Sequence, residues 1–560
     1  MGLIDWIILG CTILFIVIYG TIKTRGSKNV EEYILANQQT NWWTVGLSVM
    51  ATQASAITFL STPGQAYHDG MGFVQFYFGL PIAMVVICIA FIPVYHRLKV
   101  YTAYEFLESR FDLKTRTLAS AIFLIQRSVG TGLTIYAPAI ILSSILNWNL
   151  TLITISIGIT IIFYTYFGGT KALNITQKQQ AFIIMLGMFL TFFLILYRFP
   201  TEMTFNNALG VAAANGKMNL LNFSFDPAER YTIWNGLTGG FFLMLAYFGT
   251  DQSQVGRYLS GKSVKETQMG MIMNGLLKVP MQFFILLVGV MVFIFFQFNK
   301  APLHFNPINV ENVKHSVYKQ DYEKLETEMD QLFTEKEEIT LLYTGQLNLG
   351  YNNPILEEKM VSINEHEKEL RKEARTLISK SQKGAETNDK DYVFIYFILN
   401  YLPQGLIGLL LAVIFSAAMS SSASGLYAVA STSAIDLYKA NFKNKSEAHY
   451  LKVTKLLVIF WGIVCIITAC FISLFDNLIQ LVNIIGSIFY GTVLGLFLIA
   501  FFIKYSKAQA TFWAGVITQL TVIVIYFLNV VSYLWLNLIG TLLVIILSVV
   551  FQFMINKLKK

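Results

Sequence analysis

Residues 43–64 read WTVGLSVMATQASAITFLSTPG. The stretch is apolar at both ends, but its middle, Ala51-Thr52-Gln53-Ala54-Ser55-Ala56-Ile57-Thr58-Phe59, is dominated by small and polar residues, and Pro63-Gly64 follows soon after. A membrane helix interrupted in this way frees backbone carbonyls that can coordinate a cation near mid-depth. Two other apolar runs carry similar interruptions. One is Ala417 to Gly425, AAMSSSASG; the other is Gly249-Thr250-Asp251-Gln252. Small residues also let membrane helices pack closely. Three interruptions in one chain favour an ion and solute site.

Working outward, the whole chain has the composition of a membrane protein. Of its 560 residues 55% are hydrophobic and 13% charged, against about 45–50% and about 25% in ordinary soluble domains. The surplus falls in long runs without polar linkers between them, which excludes a soluble enzyme, a disordered scaffold and a secreted disulfide module. Spans of about 20 apolar residues are predicted near 3–21, 43–62, 73–95, 118–146, 150–167, 177–198, 235–250, 269–298, 403–437, 453–475, 479–503, 511–529 and 533–554, about thirteen in all. The first run lacks a basic start and a small-residue cleavage site, so it reads as a retained helix rather than a signal peptide. Cys11, Cys88, Cys465 and Cys470 lie inside apolar runs, without metal or disulfide spacing.

Charge sets the orientation. With the N-terminus outside, the inside segments carry 23 Lys and Arg residues, Lys23, Arg25, Lys28, Lys171, Lys178, Lys559 and Lys560 among them, and the short outside loops only Arg198, Lys217 and Arg230. This is the positive-inside pattern, N-out and C-in. It explains the formal net charge of +8 without a nucleic-acid partner. Residues 299–391 depart from the rest, with 13 basic and 18 acidic residues. They read as an extracytoplasmic insert of two amphipathic helices, about 314–341 and 355–382, from the spacing of Tyr318, Tyr322, Leu325, Met329, Leu332 and Phe333 and of Leu356, Met360, Ile363, Leu370 and Leu377. Gly350 to Pro354 marks the turn of a helical hairpin. A solvated cap and a partner-binding element are both compatible with it.

The chain offers little to an enzyme. Its six histidines, His68, His96, His304, His315, His366 and His449, fall in predicted loops; no carboxylate pair lies mid-membrane, and no phosphate-binding glycine motif is present. Arg127, Asp251 and Lys278 are the charges predicted within or beside spans, and such residues are functional candidates by default. Sodium is a hard cation, and the oxygen-ligand rule for calcium and magnesium extends to it. Carbonyls and hydroxyls can therefore hold one such ion reversibly without a buried carboxylate.

In order along the chain, several stretches resemble the sodium:solute symporter family. They are Val30-Glu31-Glu32-Tyr33-Ile34-Leu35-Ala36 before Trp42-Trp43, Ser55 to Leu60, Pro63-Gly64-Gln65-Ala66-Tyr67 and Tyr101 to Phe111. Further on come Phe167-Gly168-Gly169-Thr170-Lys171-Ala172, Gly249 to Gln252 with Arg257-Tyr258-Leu259, and Ser420-Ser421 with Asp436-Leu437-Tyr438. The resemblance covers about residues 1–510 apart from the insert. It implies an all-α polytopic membrane protein with the five-plus-five inverted-repeat transporter fold, in which spans two and seven are broken helices. The expected divisions are a first helix and cytoplasmic loop at 1–42, the first repeat and the start of the second at 43–298, and the insert at 299–391. The rest of the second repeat follows at 392–510, and two C-terminal helices at 511–560.

The resemblance also implies sodium-driven import of a small organic solute across a plasma (inner) membrane by alternating access, with no catalysis. Carried over residue by residue, the co-transported sodium ion would meet the carbonyls of Ala51, Ala54 and Ala417 and the hydroxyls of Ser420 and Ser421. Gln177 stands where some members have an aspartate of a second sodium site, and Ala423 replaces one of its serines although Ser424 remains, so one sodium per solute is expected. The solute pocket would be lined by Gln53, Ser55, Thr58, Phe73, Tyr77, Arg127, Tyr247 and Lys278. Tyr77 and Met244 replace residues with which sugar-carrying members hold their substrate. Gly130 replaces the arginine of sialic-acid carriers, with Arg127 one turn earlier, placed either to substitute or to snorkel. The branch most similar moves monocarboxylates, iodide and vitamins. A sodium-coupled sugar or polyol symporter is the alternative, and a membrane solute sensor is the alternative of another class.

Overall fold

The structure is a computed structural model that describes residues 1–24, 38–146, 148–382, 385–471 and 477–558; of residues 16–17, 19–24, 168–176, 178–179 and 413 it describes the backbone alone. The motif Val30 to Ala36 and residues Arg25, Lys28, Lys559 and Lys560 lie outside the described residues, as do the side chains of Lys23, Lys171 and Lys178.

Helices account for the fold, and the described residues contain no strand beyond one isolated bridge between Thr40 and Gly261. The longer ones are α1 (Leu3–Thr24), α2 (Trp42–Gln53), α3 (Ala56–Asp69), α4 (Leu113–Leu146), α5 (Leu150–Tyr197), α6 (Phe205–Ala214), α7 (Phe241–Thr250), α8 (Gln252–Tyr258) and α9 (Val264–Phe295). They continue with α10 (Lys319–Asn348), α11 (Pro354–Ser381), α12 (Lys390–Tyr401), α13 (Leu406–Thr432), α14 (Glu447–Phe471), α15 (Leu478–Phe502), α16 (Ala508–Leu528) and α17 (Trp535–Leu558). Ten helices among the described residues are long and apolar enough to cross a membrane, fewer than the thirteen expected. Interruption is one reason. Span two divides into α2 and α3, and span seven into a short turn, a π-turn at Gly236–Gly240 and α7. The described side chains of α1 give only the shorter apolar stretch Leu3–Phe15, and Ala56–Leu98 forms one apolar run although α3 ends at Asp69, where Gly70 takes φ +76.

Two other readings need correction. The expected loop at 167–172 is helical, because α5 continues unbroken for 48 residues. At about 1.5 Å per residue this is roughly twice a bilayer core, and its apolar windows remain two, Leu150–Phe167 and Gln180–Tyr197. His68, His96, His366 and His449 stand on helices rather than in loops.

Two of the three small-polar stretches break a helix where the sequence predicted it, whereas α13 runs unbroken through Ala417 to Gly425. Helix α2 ends at Gln53 and α3 starts at Ala56. Helix α7 gives way to α8 at Asp251, whose backbone is extended and whose carboxylate caps the new helix by accepting from Ser253 N at 2.8 Å. Each broken helix opens one half of the bundle. Helix α13 lies at the centre against α1, α4, α5 and α14. Its apolar window is 82% buried, whereas that of α17 is 28% buried and turns residues such as Phe553 outward. The N-terminus of α13 is capped from α1, where Asp5 accepts from Gly405 N at 2.7 Å and Gly408 N at 3.0 Å. Helix α9 packs on both halves of the first broken helix; a Cβ at Gly289 would strike the Pro63 backbone, so glycine is required there. In the insert α10 and α11 pair, and the short helix Pro307–Lys314 precedes them where the first amphipathic helix was expected to begin.

Candidate functional site

The break between α2 and α3 exposes both kinds of helix end at one place. Ser55 N donates to Gln53 O rather than to Ala51 O, so the Ala51 carbonyl has lost its helical donor. On the other side Ser55 makes no side-chain cap, leaving N–H groups of α3 free of one. The carbonyl end of α2 carries partial negative charge and the N-terminal end of α3 partial positive charge. A cation is favoured at the first and an anion at the second.

Against the carbonyl end lies α13. Ala417, Ser420 and Ser421 occupy one face by their i, i+3, i+4 spacing. Ala51, Ala54 and Ala417 line one small cavity of about 20 Å³ together with Gln180, which donates to Ser416 O at 3.0 Å. The hydroxyls of Ser420, Ser421 and Ser424 are buried without a hydrogen-bond partner among the described residues. Buried hydroxyls are ordinarily paired, and three orphans on one helix are oxygen donors of the kind a dehydrated alkali cation takes; Ser420 and Ser421 do not line the cavity of Ala51, Ala54 and Ala417. Gln177 is fully buried and bridges Ser48 Oγ at 2.7 Å and Thr52 Oγ1 at 3.2 Å, both on α2.

Against the N-terminal end lies a separate cavity of about 80 Å³. Gln53, Ser55, Thr58, Tyr77, Arg127 and Tyr247 line it, as does Ser421 of the expected ion set. Phe73 and Lys278 stand one layer behind. The Phe73 ring stacks on Phe76, 5.5 Å between centroids, and Lys278 Nζ lies 5.8 Å from the Tyr77 ring centroid without a hydrogen-bond partner among the described residues. Both were expected on the wall. Residues absent from that expectation take the place, namely Phe76, Gln126, Asn483 and Tyr490. Asn483 and Tyr490 are polar positions seven apart in an apolar span, a pattern that could have signalled them.

The charges in this cavity are linked. Arg127 Nη1 lies 3.6 Å from Asp251 Oδ2, and Tyr490 OH donates to the same oxygen at 2.7 Å. Gln254 Nε2 donates to Tyr247 OH at 2.5 Å. Arg127 Nε, Gln53 Oε1, Gln126 Oε1 and Asn483 Nδ2 have no partner among the described residues. The cavity therefore offers a half-committed guanidinium and three amides.

At one end of the bundle three stretches singled out in the sequence meet. Thr102 Oγ1 donates to Asp436 Oδ1 at 2.7 Å, Arg116 Nε donates to the same oxygen at 2.8 Å, and Gln252 joins Tyr101 O and Ala103 N at 2.9 and 3.1 Å.

The chain is 24% identical over 506 residues to the sodium-coupled monocarboxylate transporter 2 of Bos taurus, an alignment covering 89% of this chain and 68% of that one. It is 30% identical over 251 residues to the sodium/iodide cotransporter of Homo sapiens, covering 44% of this chain and 38% of that one, so it spans well under half of that relative. Its fold is similar to that of a sodium-coupled sialic acid symporter solved in a substrate-bound outward-open state, with a TM-score of 0.75, 21% identity and coverage of 99% and 98%. The model of the sodium:solute symporter family matches residues 33–322 and 373–518, well over half of the sequence, and this chain belongs to that family.

Proposed function

We propose that the protein imports a short-chain monocarboxylate together with one sodium ion. Family membership makes it a sodium-coupled solute transporter in a membrane; the nature of the solute is our reading. The observation that carries it is Arg127, a guanidinium with a free Nε on the wall of a cavity that also receives the uncapped N-terminus of α3. Both features attract an anion. The cavity is also small, about 80 Å³, which suits a short-chain acid. The sodium would sit between the carbonyls of Ala51, Ala54 and Ala417 and the hydroxyls of Ser420 and Ser421, one face of its cage sharing Ser421 with the solute cavity. Binding of each would then favour the other. The charge pattern supports a plasma-membrane protein with its N-terminus and insert outside and its C-terminus inside.

The three unpartnered amides favour a second reading, a small polyol, because amides pair with hydroxyls. Thermal shift of the purified protein separates the two, since a ligand of the folded state raises apparent stability. Lactate should stabilise in sodium and not in potassium, and Arg127→Gln should remove that shift. Stabilisation by erythritol with none by lactate would overturn the carboxylate reading.

A further inference from the structure

A second and larger cavity, about 300 Å³, lies away from the central one, where the insert meets the bundle. Its walls come from the end of α3 (Tyr67, His68), the loop after α6 (Asn215, Lys217), the end of α9 (Phe293) and α11 (Asn364, Lys368, Arg371). Residues 323–372 fall in the gap of the family match, so one wall is specific to this chain's insert.

The lining is basic once its internal pairs are removed. Glu367 is already bound by Lys336 Nζ at 2.8 Å and Arg371 Nε at 3.0 Å, and Glu365 by Lys368 at 2.5 Å. Of the nearby carboxylates outside the lining, Asp69 pairs with Lys390 at 2.6 Å and Asp389 with His304 at 3.1 Å. Lys217, 8% exposed, has no carboxylate within ion-pair distance among the described residues; its Nζ donates to His68 O at 2.5 Å and sits 4.8 Å from the Phe293 ring centroid. Arg371 Nη2 and His68 Nε2 are buried without a partner among the described residues. An unpaired buried polar group is destabilising, and more so when charged. Three nitrogens with donor capacity to spare on one cavity, two of them cationic, form a site for an anion. Tyr67, Phe293 and Val361 supply the apolar remainder of the wall.

We propose that this cavity is a second binding site of the protein, for an organic carboxylate whose charge meets Lys217, Arg371 and His68 and whose apolar body lies against Phe293 and Tyr67. It joins the insert to the bundle through its ligand, and it stands whether or not the transported solute is itself a carboxylate.

The test is isothermal titration of the full-length protein in sodium-free potassium buffer, with benzoate as the probe and benzamide and chloride as controls. Benzoate is expected to bind once per chain, benzamide not at all, and chloride not to compete at equal concentration. Lys217→Gln should weaken benzoate by about tenfold or more. Val361→Trp, at an exposed position on the rim, should weaken it likewise while leaving every charge in place. Should Lys217→Gln fail to yield a monodisperse protein, the Val361→Trp result decides. Absence of benzoate binding, equal binding of benzamide, full competition by chloride, or benzoate affinity unmoved by Val361→Trp overturns the proposal.

Discussion

Glu367 is buried between two cations on a part of the chain outside the membrane spans. Burial alone would raise its carboxyl; the charges of Lys336 and Arg371 outweigh that and hold it down to about 2. A carboxylate depressed in the folded state contributes stability that is present above its unfolded value and lost as pH falls through the folded one. The insert should therefore loosen between about pH 4.5 and pH 2, read as hydrogen exchange along α10 and α11. Glu367→Gln should loosen it at neutral pH by about 3–5 kcal/mol, because two cations lose their shared carboxylate. At the ion set, Ser421→Ala removes one hydroxyl and should raise the sodium concentration for half-maximal uptake by about tenfold, a loss of about 1.4 kcal/mol. Uptake with an unchanged sodium dependence would remove Ser421 from the set. Residue types were legible here where chemistry is local. Small polar residues inside an apolar run announced the break at Ala54-Ser55. The pairing of Arg127 with Asp251 was not legible, since the two lie 124 positions apart in sequence and only the packing of α15 on both α4 and α7 brings them together.

Among elements, the broken helix α2–α3 is positioned by what packs on it. Helix α9 crosses it closely enough that Gly289 meets the Pro63 backbone, and α12 approaches Gly64 closely enough that a Cβ there would strike Lys390 O. Gly289→Leu should separate α9 from α3, lowering the melting temperature and abolishing uptake even though Gly289 touches neither cavity; a variant with normal stability and uptake would show that this crossing is slack. Apolar run length found the positions of most spans. Hydropathy records where a chain is greasy, and it cannot see that α5 stays helical through 167–172 or that α3 ends at Asp69, where Gly70 takes φ +76. Helical spacing did place apolar residues such as Tyr322, Leu325 and Leu332 on a buried side, while the first turn of that helix was displaced by the separate helix Pro307–Lys314.

For the whole molecule, the orientation we propose from the asymmetry of basic residues predicts that the insert and the loop after α13 lie on opposite sides of the membrane. Cysteine placed at Lys380 should react with a membrane-impermeant maleimide on intact cells, and cysteine placed at Lys443 only after permeabilisation; the reverse would invert the topology. The family motifs were quoted as separate segments, yet Tyr101 to Phe111, Gly249 to Gln252 and Asp436 to Tyr438 converge on one hydrogen-bonded cluster. Motif order along the chain carried that grouping only through resemblance, because no periodicity links residues some hundreds of positions apart.

The paired helices α10 and α11, of 30 and 28 residues, are each about 45 Å long by helical rise. Locked to each other by a buried ion triad and held against α6, they form a rigid pair outside the membrane spans. A small transporter sunk in a detergent micelle ordinarily offers electron cryo-microscopy nothing to align. This one carries its own fiducial, so particle images should orient without an added antibody fragment.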